Sequence, residues 1–155
     1  MIWTPHATVA TLIEQDRKLL FVEEKSDQGK LVLNQPAGHV EKNESIFAAA
    51  VRETREETGW EVELTHLLGL YTYLAPNGVM YYRICFIAQP VHKISDAVLD
   101  TDIIATHWLT QEQLRYQQER LRSPLVLRCV DDFYQGKRYP LSIVYEHSSR
   151  QEHSA

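Results

Sequence analysis

Three glutamates, Glu53, Glu56 and Glu57, stand at i, i+3 and i+4 in the run Arg52-Glu53-Thr54-Arg55-Glu56-Glu57-Thr58-Gly59. On a helix that turns about 100° per residue they share an arc of roughly 100°, so three carboxylates face one way. Like charges at these spacings cost about 0.2–0.5 kcal/mol per pair, and the negative end of a helix dipole is the wrong place for them. Arg52 reaches Glu56 one turn on, and Arg55 stands nearby. A guanidinium held by one carboxylate still leaves two acids converging. A hard divalent cation fits the surplus: clustered carboxylate oxygens, a backbone carbonyl and water suit Mg²⁺, with Mn²⁺ as substitute, and no thiolate or paired-histidine set favours zinc. The bland alternative is a solvated acidic face.

These acids need a rigid element. Residues 44–58 contain no Gly or Pro, and Phe47, Ala50, Val51, Thr54 and Thr58 recur at helical spacing with Gly59 placed to stop the helix in the left-handed region. Upstream, residues 7–13 and 19–22 read as two strands joined by a polar turn, and Leu31-Val32-Leu33 as a short strand. Asn34-Gln35-Pro36-Ala37-Gly38 then turns the chain sharply. Downstream, residues 64–74 and 80–88 read as strands around Ala75-Pro76-Asn77-Gly78, and residues 103–109 as another. Thr110 opens a short helix. Ser123, as N-cap, and Pro124, as first residue, open a second helix that runs towards Gln135-Gly136.

The chain has 155 residues, 44% hydrophobic and 24% charged, which suits one packed domain over residues 1–146 with a polar, frayed tail at 147–155. A net charge of −5 without a Lys/Arg run longer than two argues against nucleic-acid or membrane-surface binding. No stretch approaches the roughly 20 apolar residues of a membrane span, and the start lacks a basic then apolar leader pattern, so a cytoplasmic protein is expected. Cys85 and Cys129, in apolar segments without metal spacing, are expected as reduced, buried thiols. None of the seven histidines, His39 included, joins an HExxH pair, and there is no GxxxxGK[ST] phosphate loop.

The segment from Gly38 to Gly59 resembles the signature of the Nudix hydrolases: Gly, five residues, Glu, seven residues, then Arg-Glu-apolar-any-Glu-Glu-any-Gly. Gly38, Glu44, Arg52, Glu53, Glu56, Glu57 and Gly59 fill every fixed position. Seven matches at set spacing arise by chance with a probability of roughly 10⁻⁹ per start position at average residue frequencies. Thr54 departs from the aliphatic residue usual there and is expected on the core side with one hydroxyl to satisfy. The resemblance implies an α/β Nudix fold, a mixed β-sheet sandwiched between helices, which agrees with the strands and helices read above. It implies a Mg²⁺-dependent hydrolase of a diphosphate joined to another group, with Glu53, Glu56 and Glu57 on metal and the Gly38 carbonyl as a further ligand. Arg52 becomes their orienting partner, and Glu44 a structural acid at the helix start. Asp102, with Asp100 as its neighbour, matches the place of an acid that often joins from outside the motif. Glu53 and Glu56 are equal candidates for the general base.

Substrate candidates are Gln35 in the turn and Tyr71, Tyr73, Tyr82 and Arg83 on the central strands, where rings and a guanidinium suit a base and a phosphate, though each taken alone is better read as ordinary sheet packing. Flanking stretches, Pro5-His6-Ala7-Thr8-Val9-Ala10, Leu33 to His39, Leu121 to Val126 and Gly136 to Leu141, resemble the bacterial phosphatase NudJ branch of the family. That branch implies orthophosphate release from nucleoside tri- and diphosphates and from the pyrimidine diphosphate of thiamine synthesis, with Arg122 or Lys137 as further contacts. The partner is then a small nucleotide or pyrimidine diphosphate, and the chain a monomer or homodimer. The rivals are an ADP-ribose or related pyrophosphatase, for which Pro76 is a weak cue, and a noncatalytic nucleotide sensor.

Overall fold

The computed structural model describes residues 1–148. A run rich in β-branched and small residues starts the fold: β1 (His6–Gln15) buries everything from Thr8 to Ile13, because it lies centrally with both faces covered. Asp16 and Arg17, with φ of 53° and 63°, form the two-residue turn into β2 (Lys18–Lys25). β3 (Leu31–Asn34) follows antiparallel to β2. Where a turn alone is expected at Asn34–Gly38, the structure adds a strand: β4 (Ala37–His39) pairs antiparallel with β1, Val9 opposite Gly38. Only pairing with a strand distant in sequence could define it.

After helix α1 (Ile46–Thr58), β5 (Trp60–Leu74) and β6 (Met80–Lys93) form a long antiparallel hairpin, both strands extending beyond the ranges read from sequence. Pro76 lies in its turn, where Ala75 N–H bonds Val79 O at 2.9 Å. β7 (Ile103–Leu109) pairs with β2, and α2 (Gln111–Tyr116) and α3 (Pro124–Tyr134) complete the chain of main elements. Both downstream caps match their residue types: Thr110 and Gln113 form a reciprocal capping box, and Ser123 Oγ accepts from Leu125 N–H with Pro124 following.

The sheet is mixed. β1 and β6 run parallel, the other pairings antiparallel, in the order β3-β2-β1-β6-β5 with β4 beside β1 and β7 beside β2. Alternation along β1 divides the core. Ala10 and Leu12 pack with Val126, Cys129, Val130 and Phe133 of α3, while Val9 packs on the other face with Ala49 and Ala50 of α1. This is the α/β sandwich expected, with helices on both faces.

Candidate active site

Local capping and a distant residue together set α1. Ser45 Oγ accepts from Ala48 N–H, and at the other end Gly59, at φ 76°, sends its N–H to Arg55 O. The Glu146 carboxylate comes from the far end of the chain to accept from Ser45 Oγ at 2.7 Å and Ile46 N–H at 3.0 Å. Small Ala49 and Ala50 let the helix lie close on β1, and Thr54, fully buried, donates to Ala50 O at 2.8 Å while meeting Thr11 Oγ1 at 2.8 Å. The hydroxyl of the departing Thr54 is therefore satisfied.

The outer edge of β4 receives the acids. Ala37 N–H donates to Glu57 Oε1 at 2.7 Å, and Arg52 Nη2 donates to His39 O at 3.1 Å. Between them, a Cβ on Gly38 would stand 2.2 Å from Glu53 Cδ, so this position holds glycine because the carboxylate occupies the space. Arg52 is the hub. Its Nε and Nη2 donate to Glu44 at 2.6 and 2.9 Å, and its Nη1 to Glu53 at 2.9 Å and Glu56 at 3.0 Å. Glu44 accepts as well from Glu41 N–H at 3.0 Å, and the Arg52 guanidinium holds its carboxyl below the usual range. Glu44 thus anchors the guanidinium that orients Glu53 and Glu56.

One oxygen each from Glu53, Glu56 and Asp100 lies within 4.8 Å of the others, a grouping able to hold a metal ion. Asp100 is brought there by its N–H, which bonds Glu56 O at 3.0 Å, the end of α1. The outside acid in this cluster is thus Asp100 and not Asp102, whose carbonyl instead accepts from Lys25 N–H at 3.3 Å. Glu57 stands outside the three, tied to β4. Burial pushes Glu57 up to about 9, against the pull of the Ala37 bond and with help from the charges of Glu24, Glu53 and Asp100. Burial also raises the Glu53 carboxyl, and burial followed by the charge of Glu56 raises Asp100. Glu53, Glu56 and Asp100 thus converge while Glu44 shares the one guanidinium among them, a surplus of negative charge that fits a hard divalent cation held through oxygen.

The substrate candidates separate. Gln35 is fully buried, donating to Cys85 Sγ at 3.3 Å and accepting from Arg83 Nη1 at 2.8 Å. Arg83 Nη2 reaches Asn34 Oδ1 at 3.4 Å; Asn34 donates to Glu24 at 3.2 Å, and Glu24 accepts from Arg122 at 2.8 Å. Gln35 and Arg83 therefore belong to one buried polar chain that also contains Glu24, Asn34 and Arg122. Sequence reading missed Glu24, and took Asn34 only as a turn residue, because the β2–β3 pairing that brings their strands together is set by the fold. Tyr71 donates to Asp132 at 2.7 Å, and Asp132 also takes Arg128 at 3.2 Å and Lys137 at 2.9 Å. These four line a cavity of about 420 Å³ whose two cations are already paired. Tyr73 lies opposite Tyr81, half-buried, and Tyr82 points to the other face, exposed. Cys85 and Cys129 are free and buried.

A NUDIX domain model matches residues 4–128. The chain belongs to the Nudix hydrolase family. This Nudix hydrolase is 35% identical to the Phosphatase NudJ of Escherichia coli K12 over 143 residues, 92% of each chain, and equally to the Phosphatase NudJ of Shigella flexneri. Among solved structures it superposes on a Nudix hydrolase from Nitrosomonas europaea with a TM-score of 0.90 and 43% identity, covering 93% of this chain and 98% of that one. A UDP-X diphosphatase shares the fold at a TM-score of 0.72 and 21% identity, covering 90% of this chain and 67% of the other. This Nudix hydrolase is thus an enzyme acting on phosphoric anhydride bonds, of a family that takes small nucleotide-type substrates, and it is similar to the phosphatase NudJ relatives.

Proposed function

We propose that this Nudix hydrolase is a Mg²⁺-dependent phosphohydrolase releasing orthophosphate from nucleoside tri- and diphosphates and from the pyrimidine diphosphate of thiamine synthesis. The convergence of Glu53, Glu56 and Asp100 within 4.8 Å carries the reaction class. The printed name of the phosphatase relatives supports orthophosphate as the product.

Glu53, Glu56 and Asp100, with the Gly38 carbonyl and a deprotonated Glu57, would hold Mg²⁺, or Mn²⁺ in its place. The cation supplies neutralisation of the phosphate oxygens and lowers the pKa of water beside it. Arg52 keeps Glu53 and Glu56 in fixed positions, so little reorganisation is needed when charge develops. One of these two glutamates takes the proton of the attacking water. The rival pyrophosphatase reading rests on Pro76 alone, a residue of the β5–β6 turn. A pure sensor would gain nothing from repelling acids. The net charge of −5 supports a cytoplasmic protein that binds neither nucleic acid nor membrane, and no described helix is long and apolar enough to cross one. As monomer or homodimer, it would act on free small molecules.

Orthophosphate release is to be followed with ATP, ADP, GTP, thymidine diphosphate, the pyrimidine diphosphate and ADP-ribose, with Mg²⁺ or chelator, and with Glu53→Gln as control. Mg²⁺-dependent orthophosphate lost in the variant is expected. AMP from ADP-ribose as the main product would overturn the reading in favour of a pyrophosphatase, and metal-independent silence across the panel, with nucleotides still binding, in favour of a sensor.

A further inference from the structure

Three rings from three strands meet at one end of the sheet. His6 and His39 have centroids 5.1 Å apart at 65°, His6 and Tyr81 5.4 Å apart at 77°, and His39 and Tyr81 6.5 Å apart. His6 Nδ1 and His39 Nε2 share a hydrogen bond of 3.1 Å. Register puts all three on the α3 face. His6 lies opposite Tyr81, Thr8 opposite both Arg83 and His39, and Ala10 and Cys85, further along the same alternation, pack against α3. Tyr73, opposite Tyr81, extends the row. The histidines are exposed and Tyr81 half-buried, so one side of the cluster is open.

One rung deeper sits Arg83, with 8% of its surface exposed. A guanidinium so buried normally meets a carboxylate. Here its hydrogen bonds go to the neutral oxygens of Gln35 and Asn34, and no acid pairs with it among the described residues. The adjoining Arg122 is matched by Glu24, so this chain of polar side chains keeps one uncompensated positive charge. Arg122 also lies close enough to act on His39, whose imidazole burial, then the charge of His6, then that of Arg122 hold below its usual pKa. The acids are near at hand: the carbonyl of His39 accepts from Arg52, and the preceding Gly38 lies against Glu53.

We infer that the His6–His39–Tyr81 cluster is the wall against which the planar heterocycle of the substrate rests, while the charge of Arg83 behind it attracts the substrate's negative charge and the phosphates reach round the edge of β4 to the acids of α1. The position of the phosphates rests on the phosphohydrolase reading; the wall itself does not. The shared chemistry is a flat nitrogen heterocycle joined to a diphosphate, from a nucleotide or from a pyrimidine diphosphate lacking ribose. Ring-to-ring contact gives such ligands affinity that a bare phosphate chain cannot gain.

The test compares the full-length protein with His6→Ala/Tyr81→Leu, and with Tyr81→Phe as the variant that keeps the ring. KM and kcat are measured for thymidine diphosphate, for the ribose-free pyrimidine diphosphate and for tripolyphosphate, which has no ring. The expected result is a KM for a heterocyclic diphosphate raised roughly tenfold more than that for tripolyphosphate, with Tyr81→Phe restoring most of it. Whichever heterocycle shows this differential names the source. Equal changes for ringed and ringless compounds, or none, would overturn the wall. Should no compound be hydrolysed, calorimetric Kd values for the same three compounds decide separately. A ring-dependent loss of affinity would keep the wall while the phosphohydrolase reading fell, and equal affinities would end both.

Discussion

The Glu53 carboxyl group lies against the Cα of Gly38, where an added methyl would stand 2.2 Å from Cδ and 2.4 Å from both oxygens. The glycine is fixed by this close approach and not by its backbone, since it is not among the positive-φ residues. Gly38→Ala should therefore leave the fold intact, because the clashing atoms are the far end of a side chain that can swing away. Moving Glu53 should weaken Mg²⁺ binding by about tenfold or more, comparable to losing a group that orients a ligand. Calorimetric titration with Mg²⁺ beside a thermal melt checks both halves, and an unchanged Mg²⁺ affinity would refute the link.

Glu57 makes the metal-free protein sensitive to pH. Burial lifts its carboxyl from 4.5 to about 9, so the folded chain holds this proton more tightly than the unfolded one. Stability from this group is full below the unfolded value and declines as pH rises towards 9, by at most about 1.4 kcal/mol per pH unit. Urea unfolding in chelator at pH 6 and pH 8 should show the higher pH to be less stable. Glu57→Gln, which keeps an oxygen for Ala37 N–H, should flatten that slope.

Thr11 and Thr54 form a buried pair on opposite sides of the α1–β1 contact. Thr54 spends its proton on Ala50 O, so Thr11 is the donor between them. Thr54→Val should cost about 1–3 kcal/mol by leaving the Thr11 hydroxyl buried without a partner. Thr11→Val/Thr54→Val should recover most of the loss, because both polar groups are then gone. A double-mutant cycle in urea measures the coupling.

The carboxylate of Glu146 caps the helix that carries the acids from 100 residues away in sequence. Glu146→Ala should cost about 1 kcal/mol, the usual worth of an N-terminal cap, with part of that cost lost at high salt because the charge faces the helix dipole. Ser45→Ala should overlap with it rather than add, as both serve the same first turn. Thermal melts of the two single variants and the double variant decide this.

Much of the helix and its ends was legible in the sequence, because these depend on neighbours. Gly59, Thr110, Ser123 and Pro124 act within four residues, and the spacing of Glu53, Glu56 and Glu57 follows from the helical repeat alone, whereas the start of α1 falls two residues later than the expected Glu44, at Ile46 with Ser45 as its cap. The same spacing could not divide the three acids by role. Glu57 goes to Ala37, and Glu53 and Glu56 go to Arg52, because β4 presents the Ala37 N–H to the one and the His39 carbonyl to the guanidinium that holds the others, and β4 exists only through its pairing with β1. Asp100 and not Asp102 joins the cluster because one backbone bond to Glu56 O fixes the loop. Arg83 and Gln35, marked from sequence as substrate contacts, find each other first, and the ring cluster was hidden because its members lie on three strands. Short-range geometry alone made the helix, its Gly59 stop and the family signature readable from the residues. Tertiary packing decided which acids converge, which one is buried and which cation is left without a counter-charge, since these depend on burial and on contacts between segments 20 to 100 residues apart.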